Sequence, residues 1–186
     1  MIDNEERVIL VSNTDIEIGE APKLEVHRTG ALHRAFSVFV FDNNGRCLLQ
    51  RRAATKYHSP GLWSNTCCGH PRPGERTAKA ARRRLNEEMG LDCDLTWVTS
   101  FVYQASLDMA LMEHEFDHVY VGSTSSVPGH DSAEVGEWRW VSVDDIRDWL
   151  KTQPESFTAW FPPAFDHMLS AWRVAAEPGI VAAASA

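Results

Sequence analysis

Apolar residues run almost unbroken over positions 36–41 and again over 47–50, and the polar stretch Asp42-Asn43-Asn44-Gly45 separates them. Short apolar runs bounded by turn residues predict strands, and a link rich in Asn and Gly predicts a hairpin. From Thr77 the period changes: Ala78, Ala81, Leu85 and Met89 recur every three or four residues, which is one face of an amphipathic helix. Gly90 stands where such a helix closes through left-handed backbone. The same patterns predict strands at 96–103, 116–121 and 138–141, and helices near 144–150 and 163–174. Strands dominate the first third, so the order predicts an α/β (α+β) sandwich with a mixed sheet. The first 20 residues and the last 10 or so carry weak patterns, and the Ala-rich tail after Pro178 is expected to fray.

The chain has 186 residues and 44% hydrophobic content, enough for one domain over 1–186 with its own core, the segments 1–20 and 176–186 being peripheral. A net charge of -8 argues against general nucleic-acid binding, while the arginines at 51–52 and 82–84 suit a small anionic ligand. The N-terminus lacks the basic and apolar regions of a signal peptide, and no run approaches the ~20 apolar residues of a membrane span. The expectation is a cytoplasmic monomer without nucleic-acid or membrane partners, its four cysteines free.

Candidate chemistry centres on Cys67-Cys68-Gly69-His70, followed by Pro71, Pro73 and Gly74, which read as a rigid, irregular loop. Such a tetrapeptide could hold a metal or supply a thiolate, and composition leaves both open. A structural zinc site is disfavoured, because no second cysteine pair occurs at finger-like spacing. His27, His33, His70, Glu113 and Glu115 could surround one metal. Residues two apart on a strand share a side, so Glu113 and Glu115 would face one site and His114 the other way. Imidazole with carboxylate suits Zn2+, Mn2+ or another divalent transition ion. Taken singly, each histidine is more often a surface or hydrogen-bonded residue, and a Glu-x-Glu pair is more often a polar strand face.

A longer pattern joins the loop to the helix. After Gly69 come Glu75, with five residues between, Arg83, with seven between, then Leu85, Glu87, Glu88, Gly90 and Leu91. This spacing resembles the Nudix box, with Arg84 standing where that signature has its first helix glutamate. Loss of that glutamate counts against diphosphate hydrolysis, while Glu88 could still bind a hard cation such as Mg2+.

Three further motifs, His33-Arg34-Ala35-Phe36-Ser37, Asn65-Thr66-Cys67-Cys68-Gly69-His70-Pro71 and Glu113-His114-Glu115, resemble the type 1 isopentenyl diphosphate isomerases over roughly residues 5–170. The resemblance implies a Nudix-like α/β/α sandwich and a small diphosphate substrate whose double bond is moved by protonation and deprotonation through a carbocation. It implies Glu115 with Tyr103 as proton donor in the forward direction, and Cys68 as a thiolate acceptor of depressed pKa. It implies a transition-type ion, Mn2+ or Zn2+, on His27, His33, His70, Glu113 and Glu115, and Mg2+ bound with the substrate and held partly by Glu88. Lys23, Arg52, Lys56 and Arg84 would meet the diphosphate, and Trp160 the carbocation. The rival readings are a Nudix hydrolase of a nucleoside diphosphate derivative and a Nudix-fold module without activity.

Overall fold

Strand β3 (His33–Phe41) is the axis of the fold, and its run of apolar residues is buried on both faces, as expected of a strand covered from two sides. The computed structural model describes residues 6–56 and 58–176. Along its length β3 pairs in parallel with β8 (Met112–Ser123), and over Phe36–Val38 it pairs antiparallel with the short β6 (Cys67–Gly69). Beyond β8 lies antiparallel β7 (Leu95–Ser106). Strand β4 (Cys47–Arg52) pairs with β9 (Val135–Val141) and with β5 (Trp63–Ser64).

The predicted turn at 42–45 forms, with the Asp42 N–H donating to the Arg46 carbonyl at 3.0 Å. Its two strands meet only at Phe41 and Cys47, however. They diverge because β3 gives its edges to β6 and β8, while β4 gives its edges to β5 and β9.

Two apolar layers cover the sheet. Helix α2 (Thr77–Met89) lays Ala80, Ala81, Leu85 and Met89 against Phe36, Val38 and Val40. On the other face α3 (Val143–Thr152) and α4 (Phe161–Ala176) set Ile146, Phe161, Phe165 and Met168 against Phe39, Leu49, Val119 and Val121. The result is an α/β/α sandwich with a mixed sheet, as the resemblance implies. Gly90 closes α2 at φ 62°, and a Cβ there would lie 2.6 Å from the Gly129 carbonyl oxygen, so the position needs glycine twice over.

The structure departs from the sequence reading at the front of the chain. Strands β1 (Arg7–Val11) and β2 (Glu17–Pro22) form a hairpin that buries Val8, Ile9 and Val11. Helix α1 (Lys23–Thr29) follows. Neither was legible: β2 reads Glu-Ile-Gly-Glu-Ala-Pro, and α1 has seven residues, too few to show a period. The loop expected at 67–74 begins as a strand, β6. The tail after Pro178 lies outside the described residues. Among the described residues no helix is long and apolar enough to cross a membrane.

Candidate active site

Sheet register assembles the site. On β8 the alternation turns Glu113, Glu115 and Asp117 to one face, all three buried. Glu115 sits directly opposite His33 in the parallel pairing with β3 and directly opposite Tyr103 in the antiparallel pairing with β7. His70 follows the end of β6 on the other edge of β3. His27 comes from α1. His114, on the opposite face of β8, receives the Gly30 carbonyl at the end of α1 as its Nδ1–H acceptor at 2.8 Å. Thus the strand that carries the two glutamates also holds the helix that carries His27.

His27 Nε2 lies 3.2 Å from Glu113 Oε2. His70 Nε2 lies 2.8 Å from Glu115 Oε1 and 3.2 Å from His33 Nε2. One donor atom from each of His27, His33, His70, Glu113 and Glu115 falls within 4.8 Å of all the others. The Nδ1–H of His27 donates to the Lys23 carbonyl at 2.7 Å and that of His33 to the Ala31 carbonyl at 2.9 Å. A carbonyl can only accept, so these bonds fix the tautomers and aim both Nε2 lone pairs inward. His27 Nε2 and Glu113 Oε2 are buried without a hydrogen-bond partner. Three nitrogens and two carboxylates converging with their lone pairs, two atoms of them unpaired, fit a divalent metal ion.

The charge state of the cluster follows from burial and neighbours. Burial, then the charge of Lys23 and the neighbouring imidazoles, hold His70 well below its ordinary value, so it is a neutral imidazole. For His27 burial acts downward, but the Glu113 carboxylate outweighs it and the net shift is upward. Burial also raises Glu115, but His33 and the Tyr103 hydroxyl bring it below the ordinary value. Tyr103 donates its hydroxyl to Glu115 Oε2 at 2.6 Å, and burial with the Glu115 charge pushes the phenol well up.

Against the depressed value expected of Cys68, burial and then the Glu88 charge push its thiol up to about 12. Cys67 faces the α2 layer as a small buried apolar residue.

A cavity of about 640 Å³ opens over this wall. Cys68, His70, Tyr103, Glu113 and Glu115 line it, together with Lys23, Arg52, Lys56, Arg84, Glu88 and Trp160. His27 and His33 lie behind the wall, fully buried. Three of these cations are paired with carboxylates. Lys23 Nζ meets Glu6 at 3.0 Å, Lys56 is bonded to Glu134, and Arg84 is bonded to Glu88 and lies 2.8 Å from Glu87 and 3.4 Å from Glu134. Arg84 is thus embraced by three carboxylates. Arg52 places its guanidinium 5.2 Å from the Trp160 ring centroid, and its Nε is buried without a hydrogen-bond partner. Glu88 takes the Arg84 bond on one oxygen and a 2.9 Å bond from Gln50 on the other.

Asp117, buried on the β8 face that carries the two glutamates, and Glu134, on the cavity wall, escape the sequence reading. Asp117 accepts from Ser37 Oγ at 2.8 Å on one oxygen and has no partner on the other. Burial and the Glu115 charge push its carboxyl well above the usual carboxylate range. Its signal was present, since Glu113, Glu115 and Asp117 continue one alternation. Glu134 sits in a loop far along the chain from Lys56 and Arg84, and no local pattern marks it.

Residues 31–161 match the NUDIX domain family. The chain is 54% identical over 157 residues to the isopentenyl-diphosphate Delta-isomerase of Burkholderia multivorans, covering 84% of this chain and 89% of that one. It is 49% identical over 166 residues to isopentenyl-diphosphate Delta-isomerase 2 of Aromatoleum aromaticum, covering 89% and 88%. Among solved structures, a Deinococcus radiodurans protein matches with a TM-score of 0.67 at 18% identity, covering 80% of this chain and 90% of that one. A MutT protein from Methanosarcina mazei matches at 0.62 and 18%, covering 75% and 94%. At that identity the structures speak to the fold alone.

Proposed function

The chain belongs to the Nudix family, among its type 1 isopentenyl diphosphate isomerases, and from that premise we propose which of its residues carry the reaction. The enzyme converts isopentenyl diphosphate to dimethylallyl diphosphate. A terminal alkene is a weak base, and its protonation leaves a tertiary carbocation that water would capture. The site must supply a proton donor, a proton acceptor and a dry, electron-rich wall.

Cys68 and the Tyr103–Glu115 pair are the two proton-transfer groups. They come from strands on the two sides of β3, and neighbouring strands lie about 4.8 Å apart, so they reach a short substrate from different directions. The labels of donor and acceptor exchange when the reaction runs the other way. The observation that carries this reading is the convergence of His27, His33, His70, Glu113 and Glu115 beside Tyr103 on the cavity wall. A divalent ion there, Mn2+ or Zn2+, would fix the Glu115 carboxylate and tune its proton affinity. Trp160 lines the cavity, where its π system would stabilise a desolvated cation by up to ~2 kcal/mol.

The diphosphate takes the other end. Its oxygens replace the carboxylates that now hold Lys23, Lys56 and Arg84, and they give the unpaired Arg52 Nε an acceptor. Glu88, whose carboxylate has lone pairs left after the Arg84 and Gln50 bonds, shares Mg2+ with the substrate. With all four cysteines free, we place the protein in the reducing cytoplasm.

The test is incubation with isopentenyl diphosphate and metal in deuterated water, followed by proton and phosphorus NMR, with Cys68→Ala beside it. Deuterated dimethylallyl diphosphate without phosphate release, lost in the variant, supports this division of roles. Phosphate release sinks it in favour of a hydrolase, and full activity of the variant removes Cys68 from the mechanism.

A further inference from the structure

Beneath the cavity runs a chain of fully buried hydrogen bonds whose direction is forced by its donors. An indole N–H can only donate, and Trp160 Nε1 donates to Ser64 Oγ at 2.9 Å. Thr158 Oγ1 donates to the same oxygen at 3.2 Å. With its lone pairs taken, Ser64 Oγ donates its own proton to Asn65 Oδ1 at 2.9 Å. That fixes the Asn65 amide the other way round, and its Nδ2 donates to the Cys67 carbonyl at 2.6 Å and the Val38 carbonyl at 3.3 Å. Ser64, Asn65 and Thr158 are wholly buried.

The two ends of this chain both matter to the cavity. At one end is the indole, with the Arg52 guanidinium 5.2 Å from its centroid and the His58 ring edge-on at 5.7 Å. At the other end is the peptide that links Cys67 to Cys68 on β6. The backbone repeats the connection, since the Thr158 N–H donates to the Trp63 carbonyl at 2.9 Å next to Ser64.

We propose that Ser64 is a positioning residue, whose hydroxyl sets the tilt of the Trp160 indole relative to the strand that carries Cys68. This rests on the roles given above to Trp160 and Cys68. Ser64 touches no substrate. It acts by holding the aromatic face over the point where the carbocation forms, a placement that must be kept to a fraction of an ångström because misplaced groups lose rate steeply. Thr at this position keeps the hydroxyl and the chain, whereas Ala leaves the indole N–H, the Thr158 hydroxyl and the Asn65 oxygen short of a partner.

Three variants test it in the metal-loaded enzyme: Ser64→Ala, Ser64→Thr and Trp160→Phe. Ser64→Ala is expected to lower kcat by about tenfold with KM within about twofold, and Ser64→Thr to restore kcat. The indole N–H resonance, assigned by its loss in Trp160→Phe, is expected to move upfield in Ser64→Ala and to return in Ser64→Thr. Should Ser64→Ala fail to fold, Ser64→Cys takes its place: its sulfur is a weak acceptor for the indole N–H, and the variant is expected to lower kcat in the same way. An unchanged kcat or an unmoved indole resonance in a folded Ser64→Ala overturns the proposal, as does a loss confined to KM. If Trp160→Phe itself leaves kcat unchanged, the role of the indole falls and this proposal with it. A fall in Trp160→Phe without one in Ser64→Ala overturns the positioning role alone.

Discussion

The two ends of the cavity are built on different principles. At the end with the His/Glu cluster the side chains come from β3, β7, β8, the short helix strapped to β8 and the residue after β6, and backbone carbonyls fix the tautomers of His27 and His33. At the cationic end the charges come from the start of α1, the end of β4, a loop and α2, and those of Lys23, Lys56 and Arg84 are held by carboxylates that substrate would displace or share. A rigid, pre-aimed set suits proton transfer, where geometry in the transition state decides the rate. A set of exchangeable ion pairs suits a polyanion that must enter and leave. The contrast implies that damage at the first end should appear in kcat and damage at the second in KM.

Four substitutions would break or sharpen that contrast. Glu115→Gln removes the carboxylate that joins Tyr103 to the histidines, and kcat is expected to fall by about 10²–10⁴-fold with KM little changed, read by steady-state kinetics. His27→Gln is expected to weaken divalent-ion binding by about 10–100-fold or more, read by calorimetry or by the visible spectrum of the cobalt-loaded protein. Arg52→Ala takes away a charged donor whose Nε faces no partner, and KM is expected to rise by about tenfold with a smaller change in kcat. The smallest effect is on stability. For Glu134 burial acts upward, but the charge and hydrogen bond of Lys56 outweigh it and hold the carboxyl below the ordinary 4.5. A depressed carboxyl contributes stability that is present above the unfolded value and lost as pH falls through the folded one. Denaturant unfolding of Glu134→Gln at pH 7 and pH 3.5 should therefore show a smaller acid loss than the parent. An equal loss would mean that the Lys56 pair contributes nothing to the acid limb.

The difference between the ends also decides what the sequence discloses. Period two on β8 exposed Glu113 and Glu115 as a facing pair, and the helical period from Ala78 to Met89 placed Arg84 and Glu88 on one helix closed by Gly90. Both signals are local, so they survive without coordinates. Helix α1 stayed hidden because it is short and enters through Pro22 with no capping side chain, although it carries His27. The direction in which the Cys68 thiol is pushed depends on burial and on Glu88, which comes from α2 and not from the loop, so no local pattern discloses it. Glu134 reaches Lys56 across 78 positions of chain, a pairing that no window could show. Likewise no local pattern marks Ser64, whose bond from Trp160 joins residues 96 positions apart.

The separation of the two ends is most directly exposed by calorimetric binding of isopentenyl diphosphate, with magnesium, to Glu115→Gln, using Cys68→Ala as the reference that also fails to turn over. If chemistry and diphosphate binding are carried by different ends, the two variants bind with dissociation constants within about threefold of each other. A loss of more than about tenfold in Glu115→Gln would show that the metal-binding end also holds the diphosphate, and the division drawn above would be wrong.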